Sequence, residues 1–432
     1  MLPLFPRHHA HQAVYEDAQR SLSRSEFMGA AHALAQRLPA QTHCLNLCDD
    51  RLSFMLGYCA ALLRAQCTLL PASRAESSLS DIVRQHPNIT AISEGSSLFE
   101  GINCLNLDQI SLDAWPCASD EGIPPSILAA ELYTSGSTGA PQAHRKTWEM
   151  LVRGAQRLAD ELEPGGTLLG SVPSQHMFGL ESTIMLPMQA GLTLASGCPL
   201  LPQDIQSAMQ QLTGPIWWAT TPMHLRACVQ SGLAFPRLAG MICATQSLAP
   251  DLARAAEACF QAPLHEIYGC TEAGGIGLRR PAQETEWRLL PDWAMEQRED
   301  QTWISGPRST GTLCLPDHIE MLPDGRFLLH GRHSSLIKVG GKRMHLDALN
   351  QLLLSVPGVR DGAFYQPVEG GRLTAFVVAG EPDPARLLAA LRKQVDPVFL
   401  PRPIHWVASL PRNAVGKLPL HALQQLMDQL SR

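Results

Sequence analysis

A chain of 432 residues exceeds one ordinary hydrophobic core, and at roughly 150 residues per domain it has room for two or three. Hydrophobic residues make up 45% and charged residues only 17%, which excludes a disordered chain; 33 glycines and 33 prolines without a repeat exclude collagen. A formal net charge of −6 supplies no global field for nucleic-acid phosphates or anionic lipid.

In chain order, residues 1–5 form a short apolar patch followed at once by Arg7, His8, His9 and His11, which is not a secretory signal. Residues 23–38 place Phe27, Ala30, Ala31, Leu34 and Leu38 at helical spacing, with Ser23 and Glu26 as a capping box. Strands are expected over 42–47 and 65–70 around a helix at 52–63, then a helix at 78–85 and a strand at 89–92. The apolar run 54–63 ends at Arg64 and is too short to span a bilayer. Residues 103–123 read as loop. A buried strand at 128–134 enters a Gly/Ser/Thr-rich turn and then a helix over 147–162; strands at 168–172, 216–219, 241–244 and 264–268 continue the alternation. Helices between buried strands make this an α/β layered domain. After Ile276 the pattern changes to short strands and turns up to His330, and helical periodicity returns only in the last hundred residues. The expectation is a large domain over 1–331, with layered α/β subdomains and a β-barrel-like region, followed by a small α+β domain over 332–432. Twelve cysteines form no CxxC pair and no Cys/His spacing typical of zinc, so reduced thiols in a cytoplasmic protein are expected.

Four segments carry chemistry. Between the strand and helix of the second α/β unit, Thr134, Ser135, Gly136, Ser137, Thr138 and Gly139 interleave hydroxyls with glycines, which suits a backbone nest for phosphate. It is not a Walker A loop, because no GxxxxGK[ST] occurs. A second segment runs Tyr268, Gly269, Cys270, Thr271, Glu272 at a strand end, where a carboxylate opposite a phosphate nest suits Mg²⁺. A third, 331–343, gathers basic side chains around an apolar pair. The fourth, 410–418, places Lys417 after Gly416 near the C-terminus.

In this order and spacing, the chain resembles the adenylate-forming superfamily of acyl- and aryl-CoA synthetases, peptide-synthetase adenylation domains and luciferases. The likeness runs from about residue 25 to the C-terminus. Residues 133–141 resemble its phosphate loop, 268–272 its YGxTE motif, 331–343 its GRxxxxIKxxGxR hinge and 411–417 its PRxxxGK. Residues 173–179 resemble the PxxHxxG segment bordering the acid pocket, and Asp317 stands where the ribose-binding aspartate is expected.

The resemblance implies a two-step reaction needing ATP and Mg²⁺. A carboxylic acid becomes acyl-AMP with release of pyrophosphate; then coenzyme A or the phosphopantetheine arm of an acyl carrier protein takes the acyl group. It assigns the phosphates to residues 134–139, Mg²⁺ to Glu272, the α-phosphate to Thr271, adenine to Tyr268 with Gly269, Thr245 and Gln246 alongside, and ribose to Asp317 and Arg332. Lys417 would bridge the carboxylate and the α-phosphate. Rotation at Ser334 would then withdraw it and bring up Gly341, beside Lys338 and Arg343, for the thiol. The acid pocket is assigned to His176, Phe178, Gly179, Trp218, Gly274 and Gly275, with Glu181 on the following helix; Trp217 and Trp218 read equally well as strand core.

Three departures stand out. Gln142 replaces the lysine that usually ends the phosphate loop, leaving Arg145 or Lys146 to substitute, or the loop to manage without a cation. The Gly-Gly-Ala-Pro stretch lining adenine is Ala244-Thr245-Gln246-Ser247 here, and Ser334 stands at the hinge in place of the commoner Asp or Lys. Nothing resembles the aspartate that holds an amino acid's ammonium, and a compact aryl or short unsaturated acid is expected over a long fatty acid. A stand-alone ligase loading a carrier protein is favoured slightly over one using coenzyme A. The remaining alternatives are a silent nucleotide-binding homologue and an adenylating ligase with an amine or hydroxyl acceptor.

Overall fold

The computed structural model describes residues 1–95, 102–109, 116, 118–120, 122–135, 141–367, 372–413 and 416–430. The first helix, Arg24–Arg37, begins on the expected capping box: Ser23 accepts from the Glu26 amide, and Glu26 accepts from the Ser23 amide. It packs against helix Arg51–Leu63, whose buried residues run through three turns: Leu52, Phe54, Met55, Leu56, Tyr58 and Cys59.

Two sheets build the large domain. One has six strands, in the spatial order Asn103–Asn106, Thr90–Ser93, His43–Asn46, Cys67–Leu70, Leu128–Ser135 and Pro141–Thr147; all neighbours are parallel except the last pair. The other has nine, centred on the parallel strands Leu264–Cys270, Gly240–Cys243, Ile216–Thr220 and Thr167–Gly170. The main core joins both sheets through the two helices above and Trp148–Leu162. A second core lies under the helices Pro202–Gln211, Pro222–Ser231 and Pro250–Phe260, on the nine-stranded sheet.

The region read as barrel-like is a three-stranded sheet (Ala294–Arg298, Gln301–Ser305, Leu313–Leu315) beside the hairpin Asp317–Met321 and Phe327–Arg332; no closed barrel forms among the described residues. A small C-terminal domain follows, with its own sheet of Val359–Tyr365, Thr374–Ala379 and Ile404–Trp406 covered by Leu346–Ser355, Pro384–Arg392 and Leu420–Leu430. The described cysteines are all free thiols. No helix among the described residues is long and apolar enough to cross a membrane.

One element departs from the reading that a turn leads straight into a helix. Residues Pro141–Thr147 form a strand antiparallel to Leu128–Ser135, and the helix starts only at Trp148 with Thr147 as its cap. The pairing sets Thr134 opposite Gln142, Leu132 opposite His144 and Ala130 opposite Lys146. Alternation along both strands therefore turns Thr134, His144 and Lys146 to one face and Glu131, Tyr133 and Arg145 to the other.

Candidate active site

The first face of this hairpin meets the turn of the second motif. His144 is hydrogen-bonded to the Thr134 hydroxyl through Nε2 (3.0 Å), while its Nδ1 lies 3.7 Å from Glu272 Oε1. Lys146 is buried and donates to the Glu272 backbone carbonyl. Burial pulls its ammonium down to about 8, against the raising influence of nearby acidic groups that include Glu181 and Glu272. Of the two candidate cations Lys146 is thus the one on the Glu272 side of the hairpin, whereas Arg145 points away and pairs with Glu131 at 2.9 Å. Neither His144 nor the choice between Arg145 and Lys146 was legible in the motif; only the register decides it. Gly136, Ser137, Thr138 and Gly139 lie outside the described residues, as does the Ser135 side chain.

The glycine of the second motif is dictated by contact. A Cβ on Gly269 would sit 2.2 Å from the Gly274 carbonyl oxygen, because the strand folds back at once into Gly274–Arg279. Thr271 is half-buried and Glu272 half-exposed. A solvent-accessible carboxylate oxygen is the hard donor that Mg²⁺ prefers, so Glu272 fits that ion.

Tyr268 donates to Asp317 Oδ2 at 2.7 Å, and Arg332 Nε lies 3.9 Å from Asp317 Oδ1 across the paired strand ends. The Tyr268 ring meets Trp287 and Phe327 edge-on at 5.8 and 5.9 Å. Burial raises the Asp317 carboxyl, and the Tyr268 hydroxyl and Arg332 pull it back. Tyr268, Asp317 and Arg332 therefore form one group, as the motifs implied.

Lys417 arrives from the C-terminal domain. Residue 417 is exposed by surface area, and desolvation and then Arg332 lower its ammonium while Glu272 holds it up. His176 lies within electrostatic reach of Lys417: burial, with Lys417 adding to it, lowers its imidazole to about 4 and keeps it neutral. Two contacts seat the loop. Gln246 donates to the Gly416 carbonyl, which also accepts from Arg412 at 2.8 Å, and Arg412 is bidentate on Asp361 at 2.7 and 2.8 Å. Gln246 follows Thr245, a β-branched residue held at φ 81°, a conformation that costs about 1–3 kcal/mol and clusters at functional sites. The altered adenine stretch thus touches the terminal motif, and Gln351 donates to Ser247 nearby.

On the acid side, Gly179 is fixed by packing, since a Cβ there would lie 1.8 Å from the Pro173 carbonyl oxygen. Phe178 is half-buried against the main core. A π-helical turn, Leu180–Met185, places Glu181 inward, and such turns are frequent at functional sites. Its buried carboxylate accepts the Gly275 amide at 3.0 Å; burial raises it, and Arg308 and Lys146 oppose the rise. Arg308 is itself buried, stacked over Trp293 at 4.8 Å, and Trp293 donates to the Gly275 carbonyl at 3.0 Å. Arg51, fully buried, holds the entering segment through Gly170 O, Val172 O, Ser174 and Thr183. Sequence reasoning passed over Arg51 and Arg308, because arginine reads by default as solvated.

Trp218 takes the strand-core alternative: it is fully enclosed in the second core against Phe260 at 5.1 Å, on the opposite face of its strand from Trp217, and fills the sheet–helix layer. Ser334, Lys338, Gly341 and Arg343 are exposed on the hinge turn and the ribbon Leu336–Val339/Lys342–His345. They share no hydrogen bond or ion pair with the groups around Glu272 among the described residues.

This arrangement, a hydroxyl-bearing hairpin facing a carboxylate turn with a lysine brought in by a second domain, defines an adenylate-forming fold. Residues 34–296 match the family model "AMP-binding enzyme", residues 348–417 match "AMP-binding enzyme C-terminal domain", and the chain belongs to that family. A 4-coumarate–CoA ligase from Rhodobacter capsulatus is 32% identical over 296 residues, spanning 67% of this chain and 74% of the relative. A sulfoacetate–CoA ligase from Cupriavidus necator is 25% identical over 377 residues, spanning 72% and 70%. Among solved structures, ATP-bound MatB from Rhodopseudomonas palustris superposes with a TM-score of 0.82 at 19% identity, covering 98% of this chain and 97% of that one. The o-succinylbenzoate CoA synthetase of Bacillus subtilis gives 0.80 at 18%, covering 96% and 95%. At these identities the superpositions show the shared fold.

Proposed function

We propose that the protein is an ATP-dependent acid–thiol ligase acting on a compact aryl acid. In the first step a carboxylate oxygen attacks the ATP α-phosphorus, the α–β bond breaks, and pyrophosphate leaves. In the second a thiolate sulfur attacks the acyl carbon and AMP leaves. The observation that carries this reading is the seating of Gly416, next to Lys417, on Gln246 of the large domain, which brings Lys417 within electrostatic reach of Glu272, Arg332 and His176.

The chain's own groups act by position and charge. Thr134 and residues 135–139 hold the β and γ phosphates. Lys146 supplies a fixed positive charge below the Glu272 turn. Glu272 would hold Mg²⁺, whose chemistry is to neutralise charge on the phosphate oxygens. Thr271 reaches the α-phosphate; Asp317 and Arg332 bind the ribose hydroxyls. Lys417 sits between acid and α-phosphate, where charge develops, and His176 borders the acid as a neutral ring. The division near 331 is the hinge on which Lys417 withdraws before the thiol enters.

The buried polar end at Glu181, Gly275 and Arg308 supports an acid with a distal hydrogen-bonding group, such as a phenol. The relatives named 4-coumarate–CoA ligase act by name on an acid of this kind. Those names also support coenzyme A as the thiol, with a carrier-bound phosphopantetheine as the competing acceptor.

ATP–pyrophosphate exchange across a panel of hydroxylated and unsubstituted aryl acids, short unsaturated acids and fatty acids tests the reading. Exchange is expected with a hydroxylated aryl acid, and mass spectrometry with coenzyme A or a carrier protein identifies the acceptor. No exchange with any acid, or equal exchange with palmitate and benzoate-type acids, overturns it.

A further inference from the structure

The second face of the phosphate-loop hairpin carries side chains that the proposed reaction does not use. Strands His43–Asn46, Cys67–Leu70 and Leu128–Ser135 are adjacent and parallel, with His43 registered on Cys67 and Leu69 on Glu131. Alternation puts His43, Cys67 and Glu131 on the same side of the sheet. One ligand atom from each lies within 4.8 Å of the other two. Cys67 and Glu131 are buried at 2% and 1% exposure, while His43 is only half-buried.

His86 closes the group from above. It ends the helix Glu76–Gln85, its ring lies 4.4 Å from that of His43, and its Nε2 is 3.7 Å from Glu131 Oε2. A cleft of about 380 Å³, lined by Gln41, Thr42, His43, Gln85, His86 and Asn88, opens beside the two imidazoles. Solvent ions therefore have a route to a set of donors that is otherwise enclosed.

We propose that His43, Cys67, Glu131 and His86 form a binding site for a borderline-soft divalent cation of the zinc type. Imidazole, thiolate and carboxylate are the donors such an ion selects. Around a tetrahedral ion of this kind neighbouring donor atoms stand roughly 3.3–3.6 Å apart, so the Glu131–His86 separation is already close to that required. The remaining contraction falls on the His43 and His86 rings beside the open cleft.

The surroundings suit coordination. Thr42 Oγ1 is hydrogen-bonded to His43 Nδ1 at 2.8 Å, which orients the ring and leaves Nε2 for a metal. Arg145 takes Glu131 Oε1 at 2.9 Å and the Tyr133 hydroxyl donates to Oε2 at 3.3 Å, so the carboxylate is held in place with Oε2 turned to His86. Burial, and then His86, keep His43 in the neutral form that coordination needs. Burial also keeps the Cys67 thiol protonated in the absence of an ion. Binding accordingly exchanges one Cys67 proton, released to solvent, for the cation. The donors come from four separated stretches of chain, which is why no metal-binding spacing exists in the sequence.

The test is a titration of the full-length protein, stripped with chelator and kept reduced, with Co²⁺ as a spectroscopic probe. One equivalent is expected to bind with a thiolate-to-cobalt charge-transfer band and the visible bands of a tetrahedral ion, and Zn²⁺ displaces it. Cys67→Ser removes the charge-transfer band, and His43→Gln weakens Co²⁺ binding by about tenfold or more. Absence of the band in the wild type, or its persistence in Cys67→Ser, overturns the proposal. If Cys67→Ser does not fold, a His43→Gln variant with wild-type circular dichroism and unchanged Co²⁺ affinity overturns it equally.

Discussion

Two lysines reach the neighbourhood of Glu272, one from each domain, and they are held in contrasting ways. Lys146 is built into the large domain, buried in a hairpin and fixed to the Glu272 carbonyl. Lys417 is exposed on a loop of the small domain, whose Gly416 carbonyl takes Gln246 of the large domain. One ammonium is fixed in place and the other is held by a loop contact. On the proposed two-step reaction both kinds are needed: ATP phosphates would be met by the fixed lysine, whereas a charge between acid and α-phosphate would have to leave before a thiol approaches.

Removing the loop-held lysine breaks the comparison most sharply. Lys417→Ala should cut adenylation by at least about 100-fold, the usual consequence of deleting one group aimed at developing transition-state charge. Thioester formation from supplied acyl-AMP should survive. Equal loss of both half-reactions, measured by pyrophosphate release and by thioester mass, would mean that the two lysines act in the same state.

Lys146→Met should come next, raising the KM for ATP by about 10-fold or more through loss of a buried charge. Its titration gives a sharper test. Folded Lys146 loses its proton near pH 8, so wild-type ATP affinity should fall as pH rises through that value. Stability should move the other way. The unfolded lysine stays protonated to higher pH, so above pH 8 the unfolded chain binds more protons and this group's contribution to stability rises. In Lys146→Met both pH effects should disappear; a wild-type ATP KM flat from pH 7 to 9 would reject Lys146 as a phosphate-side charge. Glu272→Gln should weaken Mg²⁺-dependent ATP use at the same site, and an unchanged Mg²⁺ requirement would exclude Glu272 as the ligand.

A smaller effect is expected from the seat of the loop-held lysine. Gln246→Ala removes one interdomain hydrogen bond, worth about 0.5–1.5 kcal/mol, and should slow adenylation by roughly 2- to 10-fold. The second half-reaction should be untouched. If it slows too, Gln246 contacts substrate and does not merely latch the loop.

How the sequence foretold these parts follows from the physics of each. Tyr268, Asp317, Arg332, Glu272 and Lys417 could be singled out because short motifs fix residue type at tight turns and strand ends; the structure links Tyr268, Asp317 and Arg332 directly and sets Arg332 and Glu272 in electrostatic reach of Lys417. The capping box at Ser23 was equally local. The strand Pro141–Thr147 was not, because Gln142, His144, Arg145 and Lys146 offer no apolar alternation, and its strand character comes wholly from pairing with Leu128–Ser135. For the same reason His144, Arg308 and Arg51 escaped notice, and Lys146 could not be told from Arg145: their burial depends on neighbours far away in the chain. Trp218 shows the converse, an aromatic beside the site in sequence that packing turns to the other layer.

Arg145 is the control that isolates this lesson. It is adjacent to Lys146, carries the same charge, and by sequence alone is an equal substitute for the missing phosphate-loop lysine. The register sends it to the far face, where it partners buried Glu131. Arg145→Ala should leave the ATP KM and its pH dependence unchanged. Because Glu131 then loses a partner, the melting temperature should fall by roughly 1–2 °C, the shift expected for about 1 kcal/mol in a domain of this size. A rise in ATP KM comparable to that of Lys146→Met would show that the faces are not separate, and that charge on either side of the hairpin reaches the phosphates.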